Sequence, residues 1–378
     1  MKITYLIPAL TKGGAEKVVA DLANLAVAQG HEVNIVAARM ADPALLQDQL
    51  DARIKLNFVT HGQSGKGQSY AALLPWLMRN WNWLRKQDVV HCHLTFGALL
   101  GSAIGLKRKF SPAANPRIIE TFHGVGMPYA PWQGTVTAFQ ARHLRDGFAL
   151  MAQDRYWSKF VLANPELPLA IIPNGIATNQ PKSSDTEQLA YRRDAGIPDD
   201  APVIGTVGRL RAERNPFATV AAFAEAGRLL GPDVHFLIAG DGPMAEAVRA
   251  EGNRLGLGDR LHLPGLAVKP WIAASVMDLY VSMNVGPITG IAGLEAAAAG
   301  IPVIALQATT DYAGGNDDWI WSDPDPVRVG AEAVRLMQSP IERQTMGAKQ
   351  AEHVRAHHSA VAMLAAYFEL YAKAGAAG

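Results

Sequence analysis

Short apolar segments alternate with longer amphipathic segments along most of the chain, and this alternation limits the folds that the sequence can form. Amphipathic segments of helix length, such as Ala15–Gln29 and Tyr70–Lys86, separate most of the short runs. Strands that are apolar on both faces and separated by helices form parallel sheets covered on both sides. The pattern therefore predicts a doubly wound α/β fold. The candidate strands of the first half are Ile3–Pro8, Glu32–Ala37, Ile54–Val59, Val89–His93, Arg117–Phe122, Phe148–Ala152 and Ala170–Pro173.

The alternation is interrupted once and then begins again, which indicates two domains. The segment Gly175–Pro202 is polar, contains several prolines and glycines, and has no strong strand pattern. A chain of 378 residues is long enough for two domains of ordinary size. The segment Ser359–Ala372 predicts a final helix with an apolar face. The candidate strands of the second half are Val203–Val207, Val234–Ala239, Leu261–Leu263, Leu279–Ser282 and Val303–Leu306.

Charge is distributed unevenly between the two halves. Residues 1–170 carry 18 basic and 11 acidic side chains, whereas the whole chain has a net charge of only +1. A positive half indicates an anionic partner, such as a phosphate group or a lipid surface. A chain that is neutral overall, without a recognised nucleic-acid-binding module, gives no support for nucleic-acid binding.

Cysteine content and hydropathy indicate the compartment. The single cysteine, Cys92, excludes an internal disulfide framework and favours a reducing, cytoplasmic setting. No apolar stretch approaches the roughly 18 residues that a membrane-spanning helix needs. The apolar start of the chain is read as a first strand rather than a signal peptide.

Two groups of residues with ligand-binding chemistry follow candidate strands, where doubly wound sheets bind ligands. The first is Thr11–Glu16, in which Gly13 and Gly14 precede a helix and expose backbone N–H groups to a phosphate or sugar. A tight turn without a ligand is an equal alternative. The second is Arg209 with Arg214, two permanent cations that could hold a diphosphate. Solvated loop arginines are the alternative.

Two further groups contain a single acid and a single histidine. Glu295 is the only charged residue in the run Gly290–Ile304, where a carboxylate needs hydrogen-bond donors such as sugar hydroxyls. Its alternative is a place on the solvent face of a helix. His123 ends a strand and precedes a glycine, although such a histidine is often structural. His91 and His93 share one strand face, but Cys92 between them points to the other face, and we expect no metal site.

In this order and spacing, these motifs resemble the retaining nucleotide-sugar glycosyltransferases of family 4, whose fold is called GT-B. The resemblance covers nearly the whole chain. The motifs that carry it are Gly13–Glu16, Asp88–His93, Thr121–Gly124, Ile172–Gly175, Gly208–Leu210, Ala239–Pro243 and Gly290–Val303.

The resemblance implies an α/β GT-B architecture, in which two doubly wound Rossmann-like domains face each other across a cleft. Residues 1–176 would form the N-terminal, acceptor-binding domain. A linker at 177–201 would lead to the nucleotide-sugar-binding domain at 202–357. The C-terminal helix, at about 358–376, would pack back on the first domain.

The resemblance also assigns roles to particular residues. His123 would lie beside the reacting sugar, and Arg209 and Arg214 would bind the diphosphate of the donor, so that these three are the expected catalytic residues. No metal and no cofactor are implied, since the nucleotide sugar is a co-substrate. The expected donor-binding residues are Gly13, Gly14, Glu16, Arg209, Arg214, Leu266, Val268, Thr289, Gly290, Ile291 and Glu295.

One position departs from the family pattern of two glutamates. Counting back from Glu295, the place of the first glutamate is occupied by Pro287, which offers neither a carboxylate nor a backbone N–H. The hexose of the donor therefore cannot be inferred from this motif. Two alternative functions stay open: a nucleotide-sugar-binding protein of the same fold that has lost catalysis, and a nucleotide-sugar epimerase.

The resemblance implies transfer of a hexose or N-acetylhexosamine from a nucleoside diphosphate sugar, with UDP favoured over GDP. The acceptor would be a glycan or a lipid-linked molecule in bacterial cell-surface polysaccharide or lipopolysaccharide biosynthesis. An anionic membrane surface is a further expected partner, since tryptophans and basic residues alternate in one segment. An ordinary core helix with a basic face is the alternative. The residues concerned are Trp76, Arg79, Trp81, Trp83, Arg85 and Lys86.

Overall fold

The chain folds into two compact units, which are described separately. One unit contains Met1–Ala177 and Ala360–Gly378, and the other contains Thr178–Ser359. The computed structural model describes residues 1–11, 13–39, 49–60, 66–111, 116–123, 131–151, 168–177, 183–267, 269–286, 289–307 and 318–376. Strands and helices are numbered below in chain order over these residues.

The first unit is built on a parallel sheet whose strand order is β3-β2-β1-β4-β5-β6-β7. Its central strands are buried over almost their whole length, as the continuous apolar runs predict. The strands are β1 Lys2–Ile7, β2 Glu32–Arg39, β3 Lys55–Thr60, β4 Val89–His93, β5 Arg117–Phe122, β6 Gly147–Leu150 and β7 Leu169–Ile171. The helices that follow them are α1 Gly14–Ala28, α2 Lys66–Ala71, α3 Leu73–Leu84, α4 Leu94–Lys109 and α5 Pro131–Leu144.

The second unit repeats the arrangement with the strand order β10-β9-β8-β11-β12-β13, again all parallel. The predicted doubly wound α/β fold is confirmed. The strands are β8 Val203–Val207, β9 His235–Ala239, β10 Leu261–His262, β11 Leu279–Val285, β12 Val303–Leu306 and β13 Ile320–Ser322. The helices are α6 Asp185–Asp194, α7 Pro216–Leu230, α8 Ala245–Arg254, α9 Pro270–Ser275, α10 Ile291–Ala298, α11 Pro326–Gln338 and α12 Pro340–His357.

Helix α6 lies inside the range 177–201, where the sequence analysis expects a linker. Ser184 caps it, since its side chain accepts from the backbone N–H of Glu187, while the Glu187 carboxylate accepts from the backbone N–H of Ser184. The helix buries none of its own residues, which is why the apolar pattern does not reveal it. This segment belongs to the second unit rather than to a connection between units.

The chain returns to the first unit through its last helix, α13 Ala360–Ala376. This helix packs against α1 and against β5, β6 and β7. Tyr367 and Tyr371 on α13 are fully buried, so the helix is part of the core of that unit.

Helix α3 carries the three tryptophans for which the sequence predicts contact with a membrane, and it buries one of them. Trp76 is only 7% exposed, and its ring meets that of Trp83 edge to face at 6.4 Å between centroids. Trp81 and Trp83 are partly buried against the same apolar cluster. Trp76 therefore completes the core beneath α3, whereas Trp81 and Trp83 keep some exposed surface, and contact of this segment with a membrane stays a prediction. No helix in the described part of the chain is long and apolar enough to cross a membrane.

Candidate functional site

The strand order of the second sheet brings two loops together that are far apart in sequence. β8 and β11 are neighbours, with Leu279 opposite Ile204 and Tyr280 opposite Gly205. β9 lies on the other side of β8, so the strand order reverses between β8 and β11. The loops after β8 and β11 therefore leave the same edge of the sheet at the point where doubly wound folds bind ligands.

Tyr280, on β11, forms hydrogen bonds with the backbone of Val207, the last residue of β8. Its hydroxyl donates to the carbonyl oxygen of Val207 at 3.1 Å and accepts from the Val207 N–H at 3.3 Å. A Cβ atom added to Gly293, in the first turn of α10, would lie 3.7 Å from the Tyr280 ring. Tyr280 is buried, and its hydrogen bonds hold the end of β8 against β11.

The charged residues predicted for the donor site lie around Tyr280. Burial raises the pKa of Tyr280, the nearby Glu295 carboxylate raises it further, and the Arg214 guanidinium lowers it. Burial also lowers the pKa of Arg214. The neighbouring cation of Arg209 lowers it further, whereas Glu213 and Tyr280 raise it. Much of the Arg214 side chain is nevertheless exposed, whereas Arg209 and Glu295 are half-buried. The structure thus places Arg214 and Glu295 within electrostatic reach of Tyr280, and Arg209 within reach of Arg214.

The start of α10 is shaped to receive an anion. Gly290 is its N-cap, with φ +79°, and a Cβ atom there would lie 2.0 Å from Nδ2 of Asn284. That same Nδ2 donates to the carbonyl oxygen of Thr289 at 2.8 Å and holds the loop in place. The hydrogen bond from the Leu294 N–H to the Gly290 carbonyl closes the first turn. The N–H groups at Ile291 and beyond begin the helix, so this end carries partial positive charge.

A second glycine-rich loop supports the loop that carries Arg209. A Cβ atom on Gly240 would lie 1.7 Å from the carbonyl oxygen of Gly208, and one on Gly242 would lie 2.3 Å from that of Leu210. The Leu210 N–H donates to the carbonyl of Asp241 at 3.0 Å. The loop after β9 therefore lies against the backbone on both sides of Arg209.

These supporting residues have a role that the sequence did not predict. Gly240 and Gly242 appear in it only as part of a motif, and Tyr280 and Asn284 are not singled out. The signal for the glycines is their spacing directly after a strand. The sequence contains no such signal for Tyr280, since a tyrosine within a strand is an ordinary core residue.

One predicted site residue is well exposed, and others lie outside the described residues. Leu266 is 47% exposed, on the loop after β10. Val268 and Pro287 lie outside the described residues, as do Lys12 and Gly124.

In the first unit, the glycine loop opens α1 as the sequence predicts. Gly13 is the N-cap, in an extended conformation, and Gly14 is the first helical residue. The carboxylate of Glu16, expected to bind the donor, accepts from the hydroxyl of Thr11 at 2.8 Å. Glu16 therefore stabilises the loop, as does the Gly13 N–H, which donates to the carbonyl oxygen of Thr11 at 2.9 Å. Contact of Glu16, Gly13 and Gly14 with the donor stays a prediction.

His123 lies at the carboxyl end of β5 and pairs with a histidine on the adjacent strand. Its Nε2 lies 2.8 Å from Nδ1 of His93, the last residue of β4. Burial lowers the pKa of His123 to about 4, so this imidazole is neutral near physiological pH. A neutral imidazole can position a ligand oxygen without adding a charge.

His91 is held by two hydrogen bonds within the core of the first unit. Its Nδ1 lies 2.8 Å from the Tyr371 hydroxyl, and its Nε2 lies 2.7 Å from the hydroxyl of Thr121. Both ring nitrogens are thus engaged, which leaves His91 without a nitrogen to bind a metal. No group of three or more potential metal-binding side chains occurs among the residues that the structure describes.

Comparison with known families decides the classification of the chain. Residues 12–180 match the family model described as Glycosyltransferase Family 4, and residues 187–320 match the one described as Glycosyl transferases group 1. The chain belongs to glycosyltransferase family 4. The predicted family is confirmed, and the two matches fall on the two units of the structure.

Curated relatives match over about half of this chain. A 2-deoxystreptamine glucosyltransferase of Streptomyces kanamyceticus is 27% identical over 216 residues, which is 54% of this chain and 55% of the relative. A lipopolysaccharide core biosynthesis glycosyltransferase of Rhizobium meliloti is 25% identical over 189 residues, 48% of this chain and 52% of the relative. The chain thus spans about half the length of these relatives.

Similarity to solved structures extends over nearly the whole chain. HepE of Anabaena, solved in complex with UDP and glucose, superposes with a TM-score of 0.78 at 18% identity, covering 98% of this chain and 99% of that one. At this identity the likeness shows the fold alone. The chain has the two-domain α/β GT-B fold.

Proposed function

We propose that this protein is a retaining glycosyltransferase that uses a nucleoside diphosphate sugar, with UDP as the favoured nucleotide. The observation that carries the proposal is that Arg214 and Glu295 lie within electrostatic reach of Tyr280, and Arg209 within reach of Arg214, on the loops after β8 and β11. Two guanidinium groups and a helix N-terminus supply positive potential for a diphosphate. The half-buried Glu295 carboxylate can accept hydrogen bonds from ribose hydroxyls.

The chemistry that this arrangement supports is departure of the diphosphate. The bond from the anomeric carbon to the diphosphate oxygen breaks, and its electron pair stays on the diphosphate. The oxygen of an acceptor hydroxyl bonds to the same carbon, and its proton passes to the departing diphosphate. Arg209, Arg214 and the α10 N-terminus stabilise the charge that develops, which is electrostatic preorganisation. Because these groups are permanently positive, we propose that the reaction needs no metal ion and no cofactor.

UDP as the nucleotide draws support from HepE, whose complexes with UDP and with UDP-glucose share this fold. The acceptor that we propose is a glycan or a lipid-linked molecule of bacterial surface polysaccharide or lipopolysaccharide. The Rhizobium meliloti relative acts in lipopolysaccharide core biosynthesis. An alpha-monoglucosyldiacylglycerol synthase of Streptococcus pneumoniae, 28% identical over 141 residues, has a name that denotes a glycolipid product.

The decisive test compares Arg209→Ala with Arg211→Ala, a matched control on the same loop whose side chain is exposed. A hydrogen bond to a charged group contributes about 1.5–3 kcal/mol, so loss of Arg209 should weaken UDP binding by about 10- to 150-fold. Titration calorimetry with UDP measures this difference. Equal UDP affinity in the two variants would contradict the proposed diphosphate site.

A second set of measurements separates transferase from the alternatives. A thermal-shift screen with UDP-, GDP- and ADP-sugars identifies the donor, because a ligand that binds the folded state raises its stability. Release of free UDP that depends on an added acceptor supports a transferase. UDP-sugar binding without release indicates a binding protein, and acceptor-independent conversion of the sugar indicates an epimerase. The anomeric configuration of the product, read by NMR, tests retention.

We also propose that the first unit binds an anionic membrane, through exposed residues close to the tryptophans of α3. Met78 on α3 is 61% exposed, and Phe110, which follows α4, is 83% exposed. Basic side chains accompany them: Lys107 lies over the Trp81 ring at 5.1 Å, and Lys109 is exposed. Each basic residue near an anionic leaflet contributes about 1 kcal/mol.

Flotation with vesicles containing anionic lipid tests this surface. Phe110→Ser with Lys109→Ser should reduce the bound fraction several-fold, and high salt should reduce it in the unmodified protein. Ile341→Ser is the matched control, because Ile341 is equally exposed but lies on α12 of the other unit. A protein that stays in the soluble fraction with anionic vesicles would refute membrane binding.

A further inference from the structure

Asn215 has a backbone conformation that few residues other than glycine adopt. Its φ is +43° and its ψ is +56°, in the left-handed region. Within the described part of the chain, Leu94 is the other non-glycine residue with a positive φ. In this region the Cβ atom lies too close to the backbone for most residues, and asparagine is among the few that tolerate it. Such conformations persist where the surrounding structure holds them, and they cluster at functional sites.

Asn215 directly follows Arg214 and ends the short segment that carries this guanidinium. A single 3₁₀ turn spans Ala212–Arg214. The Arg214 N–H donates to the carbonyl oxygen of Arg211 at 3.0 Å. The Asn215 N–H donates to the carbonyl oxygen of Ala212, also at 3.0 Å. All residues from Arg211 to Asn215 are exposed, so packing against the core does not fix the segment.

The amino end of this segment is anchored at Leu210. The Leu210 side chain is fully buried in the apolar core of the second unit. Its N–H donates to the carbonyl oxygen of Asp241 at 3.0 Å, and its carbonyl oxygen accepts from the N–H of Met244 at 3.2 Å. The chain therefore enters the segment from a fixed point.

The carboxyl end of the segment is anchored by α7. Pro216 is buried at the start of this helix, where its fixed φ suits the first helical residue. Val220 and Phe223, one and two turns further along, lie in the same apolar core as Leu210. Because the core holds the helix, a change in the dihedral angles of Asn215 is taken up by the 3₁₀ turn before it.

We propose that the left-handed conformation of Asn215 positions Arg214 for the diphosphate of the donor. Between two anchored ends, this conformation sets the direction of the exposed segment and of the guanidinium that it carries. Asn215 is a positioning residue, since it acts through Arg214. The inference rests on the proposed function for the identity of the ligand, but not for the effect of Asn215 on the position of Arg214.

The test compares residues that differ in their tolerance of the left-handed region. Glycine adopts it readily, whereas a β-branched residue such as valine is an outlier there. Asn215→Gly should keep UDP affinity close to that of the unmodified protein. Asn215→Val should weaken UDP binding about tenfold, as expected when one hydrogen bond to a charged group is lost. Asn215→Ala, which has no branch at Cβ, should fall between these two variants. Titration calorimetry with UDP measures all three.

Gly256→Val is the matched control for backbone strain. Gly256 also has a left-handed φ, +79°, and a Cβ atom there would have no neighbour within 4 Å. It lies between α8 and β10, at the opposite edge of the sheet from the loop after β8. Both valine variants should lower Tm by about 2–8 °C, but only Asn215→Val should weaken UDP binding. Equal losses of affinity in the two variants, or normal affinity in Asn215→Val, would overturn the proposal.

Crystal structures of the variants without ligand test the geometry independently of the proposed function. We expect Arg214 to be displaced in Asn215→Val, with α7 unmoved from Thr219 onward, and to regain its place in Asn215→Gly. An Arg214 that keeps its place in Asn215→Val would overturn the proposal. Absence of UDP binding by the unmodified protein would refute the proposed function and leave this structural result intact.

Discussion

Gly240 gives the sharpest test of how the Arg209 loop is held. A methyl group at this position would place its carbon 1.7 Å from the Gly208 carbonyl oxygen, and carbon atoms of this kind are essentially never closer than 3.0 Å to another heavy atom. Gly240→Ala must therefore move the two backbones apart by at least about 1.3 Å. The carbonyl belongs to the residue just before Arg209, so the displacement reaches the guanidinium directly.

The expected magnitudes follow from that displacement. Forcing an extra carbon into a packed interior costs about 1–3 kcal/mol, which lowers Tm by about 2–12 °C for a unit of this size. A shift of about 1 Å in a binding group costs about 100-fold in catalytic efficiency. Gly242→Ala should be milder, because its carbon would lie 2.3 Å from the Leu210 carbonyl and needs a smaller displacement.

Calorimetric titration with UDP and thermal unfolding measure both effects on the same variants. Gly67→Ala is the control, since a Cβ atom there would have no neighbour within 4 Å and the glycine has an ordinary φ. We expect UDP affinity to decrease in the order Gly67→Ala, Gly242→Ala, Gly240→Ala. A Gly240→Ala protein with normal Tm and normal UDP affinity would show that the contact with Gly208 does not position Arg209.

Two further predictions concern buried ionisable side chains of the first unit. Burial lowers the pKa of His91, His93 and His123, so the folded state binds fewer protons than the unfolded state, and the free energy of unfolding should fall as pH decreases below about 6.5. For His123, with a pKa of about 4, the decrease in the free energy of unfolding approaches about 3 kcal/mol. Urea unfolding at several pH values from neutral to about 4 should therefore show a weaker pH dependence of this free energy in His123→Asn. Arg145, whose Nε donates to the Glu120 carboxylate at 2.6 Å, is fully buried, so Arg145→Met should destabilise by about 3–5 kcal/mol in urea unfolding. Addition of Glu120→Gln should recover part of that loss, and no recovery would contradict the ion-pair explanation.

The strands could be predicted from the sequence because each is a buried run between helices. Val89–His93, Arg117–Phe122, Val203–Val207 and Val303–Leu306 have the bounds that the sequence predicts. The short edge strand Ile320–Ser322 is missing from the prediction, since three residues give no periodicity to detect.

Helices stabilised in different ways were not equally predictable. Helix α6 buries no residue, but the Ser184 and Glu187 spacing of a capping box was available as a signal. Helix α3 shows the opposite case, since its composition suggests an interface whereas the positions of its apolar residues predict a buried face. Trp76, Leu77 and Leu84 follow the helical period of a core-facing stripe, and that period decides their burial.

The order of strands is what the sequence could not supply, and the candidate site depends on it. Arg209 and Gly290 are placed at strand ends by their motifs, but any order of strands is compatible with those motifs. The order β9-β8-β11 places their loops side by side, because β8 pairs with β9 on one side and with β11 on the other. Tyr280 then connects them through the Val207 backbone, a contact that exists only in the folded sheet. The proposed donor site therefore depends on the strand order as well as on the individual motifs. A substitution at Tyr280 should disturb the site, although Tyr280 is not among the residues proposed to bind the ligand.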